Sequence, residues 1–308
     1  MQVKDTVPVR GQWYFRRPHM ATSSTPRHLT DRDEEILLAL DRCPMTVVQI
    51  LKLSQAFSGQ PFMSARGVQD RLHKLREADW VRSWPYAIAN RGSPPDYYRL
   101  TPLGFRLLHG EHAVPPTKRH FSEVSIGHHH HTHCLADFIV HTLVAARRRA
   151  IRLAHFYREN TLQLRVGADV LLRPDCAFEL HTPSGQQLNF LVELDGGTER
   201  VRSDKDTDAW QQKIQLYNLL QDRNYPDRFR VLVVTTRCSD RLQSILTLAA
   251  QNTTNPQRAL FYAVALPDYL AQPDALYYPC FRDHRGSPIP LVAQLPPPGS
   301  DLSSLAHR

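Results

Sequence analysis

"NFLVELDGGTER", residues 189–200, is an apolar run interrupted by two carboxylates. Side chains alternate across a strand, so Phe190, Val192 and Leu194 share one face while Leu191, Glu193 and Asp195 share the other. Two like charges on one face repel unless a cation, a proton or water lies between them. An edge strand with a wet outer face satisfies the pattern. So does a buried strand whose acids hold a cation, and the flanking segments bear on the choice.

Upstream, "LLRPDCAFEL" (171–180) reads as a strand, and the turn-rich "HTPSGQQ" after it predicts pairing with "NFLVELD". In that pairing Asp175 and Glu193 converge at neighbouring positions. Clustered carboxylates suit a hard cation, Mg²⁺ or Mn²⁺, which activates water and stabilises charge at a scissile phosphate. Downstream, a helix is expected over 203–222, with Trp210, Ile214, Tyr217 and Leu220 as its apolar stripe and Lys213 inside that stripe. An inward lysine needs a partner because an unpaired buried ammonium is costly, and Glu193 or Asp195 can supply one. The alternative is a lysine that snorkels past Trp210 to water.

Farther out, "HHHHTHCLADFIVHTLVAARRRAIRL" (128–153) predicts a long helix with Leu135, Phe138, Ile139, Thr142 and Ala146 on one side. The histidine run 128–131 fans out around that helix, so its members cannot all meet one ion. It reads as a solvated helix start with no assigned role. His129 and His133 are spaced to share a metal, and His133 and Asp137 to pair on the surface. "TLQLRVG" (161–167) predicts a first strand, "FRVLVVTT" (229–236) an apolar one, "SDRLQSILTLAAQ" (239–251) a helix and "ALFYAVAL" (259–266) a last strand. The order implies a mixed sheet flanked by helices.

The front half has a different texture. "LTDRDEEILLALDRCP" opens with Thr30 as N-cap and carries Ile36, Leu37 and Leu40 at helical spacing. "TVVQILKLSQAF" (46–57) and "MSARGVQDRLHKLREADWV" (63–81) predict two more helices, the last burying Val68, Leu72 and Leu75. Two extended runs within 81–100 and a helix at "TPLGFRLL" follow. Three helices and a hairpin make a winged helix-turn-helix, whose third helix enters the DNA major groove. Its outward Arg66, Gln69, His73 and Arg76, with Arg82 and the hairpin-tip Arg91, are the expected DNA contacts. A winged helix that binds protein or organises a dimer is the alternative.

The chain of 308 residues carries net charge +8. Residues 1–118 hold 17 Lys and Arg against 11 Asp and Glu, so most of that excess lies in front and suits a polyanion. At 42% apolar and 22% charged residues it can bury a sizeable core. No 18-residue apolar run or signal core occurs, so no membrane is expected. Five spaced cysteines without a CxxC pair argue against a zinc ribbon or disulfide framework, and a reducing cytoplasm is the simplest setting. The expected organisation is a flexible basic arm (1–28), the winged helix (29–112), a linker (113–127), an α/β unit (128–267) and a Pro-rich, irregular tail (268–308).

The pattern "PD…VELD…K" resembles the PD-(D/E)xK nuclease superfamily. That resemblance implies a restriction-endonuclease-like αβββαβ fold in which Asp175 and Glu193 hold Mg²⁺ or Mn²⁺. Asp195 stands where the superfamily's lysine would be, and Lys213 is the candidate for a lysine displaced to the next helix. Glu159 in "FYREN" is the candidate upstream acid. The implied catalytic set is Asp175, Glu193, Asp195, Lys213 and Glu159, with Asp175, Glu193 and Asp195 as metal ligands. Over about 30–265 the chain also resembles the replication-relaxation family of plasmid-borne proteins, through its front half, "RPDCAFEL", "VELDGGTE" and the following Lys213 and Tyr217. This implies double-stranded DNA as partner, plasmid or mobile-element replication as setting, and a homodimer or plasmid replication or mobilisation proteins as further partners. Two activities fit: a metal-dependent endonuclease, favoured by the inward Lys213, or a non-catalytic regulator on a nuclease-like scaffold, favoured by Asp195 in the lysine's place.

Overall fold

Thr30 starts the first helix. Its hydroxyl accepts the Asp33 N–H, and the Asp33 carboxylate accepts the Thr30 N–H, a reciprocal cap reinforced by acids in the first turn. The computed structural model describes residues 29–88, 94–159, 161–166, 170–197, 210–223, 228–237, 239–255 and 257–293. Helix α1 (Asp31–Arg42) turns Ile36, Leu37 and Leu40 inward, and β1 (Met45–Thr46) leads into α2 (Val47–Leu53), capped in the same way by Thr46 and Gln49. In α3 (Ala65–Glu77) the buried residues are Val68, Leu72 and Leu75, as the spacing predicts. β2 (Val81–Pro85) pairs antiparallel with β3 (Asp96–Leu100), and β1 lines the other side of β3. Arg91, expected at this hairpin's tip, lies outside the described residues, as does the basic arm 1–28. α4 (Pro102–His109) closes the unit over Gly104, where a Cβ would stand 2.1 Å from the Trp80 carbonyl oxygen.

Helix α5 (His129–Arg148) buries Leu135, Phe138, Ile139, Thr142 and Ala146 as expected, but it stops short of 153. The chain reverses at Ala150, which takes a positive φ of 52°, and the apolar spacing then changes from helical to alternating. β4 (Arg152–Tyr157) is the result, a strand the sequence reading had merged with the helix. β5 (Leu164–Val166) and β6 (Val170–Leu172) form a separate two-stranded hairpin. The first strand of the main sheet is therefore β4 and not "TLQLRVG".

The sheet continues through β7 (Cys176–His181), β8 (Gln187–Asp195), α6 (Trp210–Arg223), β9 (Arg230–Thr235), α7 (Ser239–Gln251) and β10 (Phe261–Ala265). The tail corrects the expectation of irregular chain beyond 268. After α8 (Leu266–Leu270), β11 (Phe281–Asp283) pairs with β10, and β12 (Pro288–Ile289) pairs with β11. Asp283 fixes their turn by accepting N–H groups of Arg285 and Ser287. Proline is tolerated at such an edge because no ladder donor is needed there. Residues 294–308 lie outside the described residues.

Seven strands run in the order β12-β11-β10-β9-β8-β7-β4. β8, β9 and β10 are mutually parallel, while β7 and β4 are antiparallel, so the sheet is mixed. β8 lies inside the sheet with both faces covered, which overturns the wet edge strand. Phe190, Val192 and Leu194 enter a core shared with α5 and the front helices, whereas Leu191 enters one built with Trp210, Ile214, Tyr217 and Ile245. The first core runs without a break from Ile36 through Phe138 to Val292. At the joint, Gln49 donates to the Asp137 carboxylate at 2.8 Å, and Arg158 pairs with Asp41 at 2.9 Å. Among the described residues no helix is long and apolar enough to cross a membrane.

Candidate active site

The strand register places the first two acids. Cys176 faces Val192 across the β7–β8 pair, and the Asp175 N–H donates to the Val192 carbonyl at 2.9 Å, so Asp175 falls opposite Glu193. The Leu194 N–H donates to Asp175 Oδ2 at 2.6 Å and sets the plane of that carboxylate. The hairpin that enforces this register turns at Gly185, whose φ of 82° is accessible to glycine at little cost.

Glu193 is buried against α6. Tyr217 donates its hydroxyl to Glu193 Oε1 at 2.5 Å, and Lys213 Nζ stands 3.0 Å from Oε2. These two donors are four residues apart and project from one side of the helix. The lysine thus reaches inward, with its ammonium 5.4 Å from the Trp210 ring centroid. Burial pushes the Glu193 carboxyl up to about 7; the Lys213 ammonium opposes that shift and the nearby Asp175 charge reinforces it. A carboxyl so placed sits near its protonation midpoint at neutral pH, which is a common property of functional acids.

Glu159, just beyond β4, and His131, from the first turn of α5, approach Asp175 from the other side. One ligand atom from each of His131, Glu159 and Asp175 lies within 4.8 Å of the other two. His131 Nε2 is 3.3 Å from Asp175 Oδ1, yet it is shut off from solvent without an aligned hydrogen-bond partner. Burial disfavours the His131 cation, but contact with Asp175 and its charge, aided by Glu159 and Glu193, outweigh this and raise the imidazole above its usual range.

Asp195 does not join them. Arg241 of α7 grips its carboxylate with two nitrogens at 2.5 and 2.7 Å, and the Trp210 indole donates to it at 3.2 Å. The Thr235 hydroxyl and the Gly197 N–H add contacts at 3.3 and 3.4 Å. Burial tends to raise this carboxyl, but the Arg241 and Trp210 contacts prevail and hold it below the ordinary carboxylate range. With its oxygens so occupied, Asp195, expected as a metal ligand, ties β8 to α6 and α7 instead of standing with Asp175. The structure brings together Asp175, Glu193, Glu159 and Lys213.

Sequence reasoning missed His131. The run is a solvated helix start only at His128 and His130; His129 is buried and His131 half-buried. His129 accepts the Ala87 N–H at Nδ1 and meets the Val124 carbonyl from Nε2 at 2.9 Å, so both nitrogens are spent joining β2's end to α5. Two residues on, roughly 200° around the helix, His131 faces Asp175. His133 pairs with Asp137 at 3.4 Å, the spacing that suggested it. No signal in the run singles out His131, because its members are identical in sequence and differ only in the surfaces they meet.

The expected DNA contacts among the described residues are all exposed. Arg66, Gln69, His73 and Arg76 point outward from α3, and Arg82 from β2. Arg66 pairs with Asp70 at 3.0 Å, His73 with Glu77 at 3.2 Å and Arg82 with Asp79 at 3.4 Å. Such exposed pairs contribute about 0–1 kcal/mol each, so a phosphate can displace them at small cost. Arg71, by contrast, is drawn back to Asp33 at 2.5 Å and holds α3 to α1.

A sequence family described as replication-relaxation matches residues 39–229, which include α3, α5, both strands of the acidic pair, Lys213 and Tyr217. No curated protein and no solved structure matches the chain.

Proposed function

Because the chain belongs to the replication-relaxation family, we propose that it is a metal-dependent DNA endonuclease acting in plasmid or mobile-element replication or relaxation, with a winged helix as its DNA-binding unit. The observation that carries this is the convergence of Asp175 and Glu193 across the β7–β8 register, with Lys213 reaching Glu193 from α6. That placement corresponds to a PD-(D/E)xK-type site with its lysine moved to the helix. The buried His131 Nε2 beside the Glu159 and Asp175 carboxylates gives a donor set that fits a divalent cation.

Asp175, Glu193 and Glu159 would hold the cation. Bound there, it would polarise a phosphodiester oxygen and acidify water. The chain's own groups do the rest. The Leu194 N–H holds the Asp175 carboxylate in one orientation. Tyr217 fixes Glu193. Lys213 supplies a positive charge next to the acids, where it can orient the attacking water or neutralise charge on a phosphate oxygen. In the front half, the α3 face and Arg82 would grip duplex phosphates, and Gln69 and Arg66 would read base edges.

A second reading has its own support. Glu193 already has two donors in Lys213 and Tyr217, and Asp195 stands where the superfamily carries lysine. A regulator that kept the sheet as a scaffold would look like this. Supercoiled plasmid incubated with Mg²⁺, Mn²⁺ or EDTA separates the two. The endonuclease reading expects metal-dependent nicking that Asp175→Asn abolishes; binding without nicking under any metal leaves the regulator.

A further inference from the structure

His131 is the nitrogen donor of the cluster, and its presence bears on which cation the cluster takes. We propose that His131, Glu159 and Asp175 form a site for a first-row transition-metal divalent cation, with His131 Nε2 as a direct ligand, so that Mn²⁺ is taken in preference to Mg²⁺. This rests on the reading that Asp175 belongs to a metal site and deepens it.

The geometry is close to closed. Ligand atoms about 2.0–2.2 Å from one ion are at most about 4.4 Å apart, and those of His131, Glu159 and Asp175 all lie within 4.8 Å of one another. His131 Nε2 is sealed from water and stands 3.3 Å from Asp175 Oδ1, so a cation entering between the two would take the place of the proton on that nitrogen. The Leu194 N–H occupies Asp175 Oδ2, which leaves Oδ1, the oxygen nearest His131, as the binding atom. Such an outer hydrogen bond is how proteins aim a ligand. His131 is also anchored from behind, because His129 locks the same helical turn by both its nitrogens.

Ligand chemistry then sets the ion. Mg²⁺ dehydrates reluctantly and is bound through oxygen, whereas an imidazole among carboxylates favours first-row transition ions. Against a Mg²⁺ site made of acids alone, the nitrogen shifts selectivity.

The test uses the full chain stripped with EDTA and dialysed, then titrated with Mn²⁺ or Mg²⁺ alone by calorimetry, with pulsed electron paramagnetic resonance on the Mn²⁺ form. The expected results are Mn²⁺ binding about tenfold tighter than Mg²⁺ and nitrogen modulation from a directly bound imidazole. His131→Gln should erase the modulation and remove most of the Mn²⁺ preference while leaving Mg²⁺ affinity nearly unchanged. If that variant does not fold, the wild-type spectrum alone decides, with Asp175→Asn as the second variant, expected to lose both ions. Bound Mn²⁺ without nitrogen modulation overturns the His131 ligand and leaves a carboxylate site standing. Failure of both ions to bind overturns the site together with the metal-dependent reading.

Discussion

Replacing Asp195 by alanine separates a structural carboxylate from a functional one. Its side chain is fully buried, and Arg241, only 17% exposed, gives it two charged hydrogen bonds. Removing the acid takes two charged hydrogen bonds from a largely buried guanidinium and leaves the Trp210 N–H without its acceptor. Breaking one side of a buried pair costs about 3–5 kcal/mol. Urea unfolding followed by circular dichroism should therefore show Asp195→Ala less stable by about that amount. The double variant Asp195→Leu/Arg241→Leu should recover most of the loss, since well-packed apolar groups replace buried pairs at little net cost. Below its melting range, Asp195→Ala should still gain thermal stability from Mn²⁺, because the acid touches neither Asp175 nor His131. A variant of unchanged stability that has lost its Mn²⁺ response would refute this reasoning and return Asp195 to the metal.

Glu193 predicts a pH dependence. Its carboxyl is raised from 4.5 to about 7 in the fold, so its stabilising neutral form is fully present below pH 4.5 and lost as pH climbs through 7. That change is roughly 3 kcal/mol at most, and Glu193→Gln should remove it when metal-free unfolding is compared at pH 5 and 8; an unaltered pH slope would contradict it. Binding of duplex DNA by the full chain should weaken steeply with salt, and replacing Arg66, Arg76 and Arg82 together by alanine should flatten the log–log slope by about 0.9 per lost phosphate contact. A slope that does not move would place the interface elsewhere. Gly104→Ala should destabilise the chain by about 1–3 kcal/mol, because the new methyl would stand 2.1 Å from a backbone oxygen and no flexible side chain can yield; a neutral result by thermal melt would mean that α4 shifts freely.

The parts of this molecule that could be read from sequence are those whose signal is local. The period-two pattern at 190–195 separated the two faces of β8, and the stripe Trp210, Ile214, Tyr217, Leu220 oriented α6 and so predicted an inward Lys213. The hairpin turn at 181–187 was enough to bring Asp175 opposite Glu193. What failed needed long-range information. Nothing near Asp195 announces Arg241, which lies 46 residues away and arrives only when α7 packs on the sheet. β4 was hidden because arginines 147–149 run up to Ala150 with nothing in their composition to announce that the chain turns there. The proline-rich tail looked irregular because composition does not reveal an open sheet edge waiting beside β10. His131 was lost in a run whose members look identical and serve different neighbours.

The unbroken core between the front helices and the sheet has a mechanical consequence. Gln49 with Asp137, Arg158 with Asp41 and His129 with Ala87 cross the joint at separate points, so the front half has no axis left to swing about. A nuclease whose reading head is jointed cuts over a spread of distances from its recognition sequence. With the α3 face and the acidic cluster set in one solid, this chain would behave as a caliper. Duplex DNA advances about 3.4 Å per base pair, so the interval from footprint to nick would be a single number of base pairs, and inserting one base pair between them would move the nick by one position relative to the sequence while leaving its distance from the bound protein unchanged.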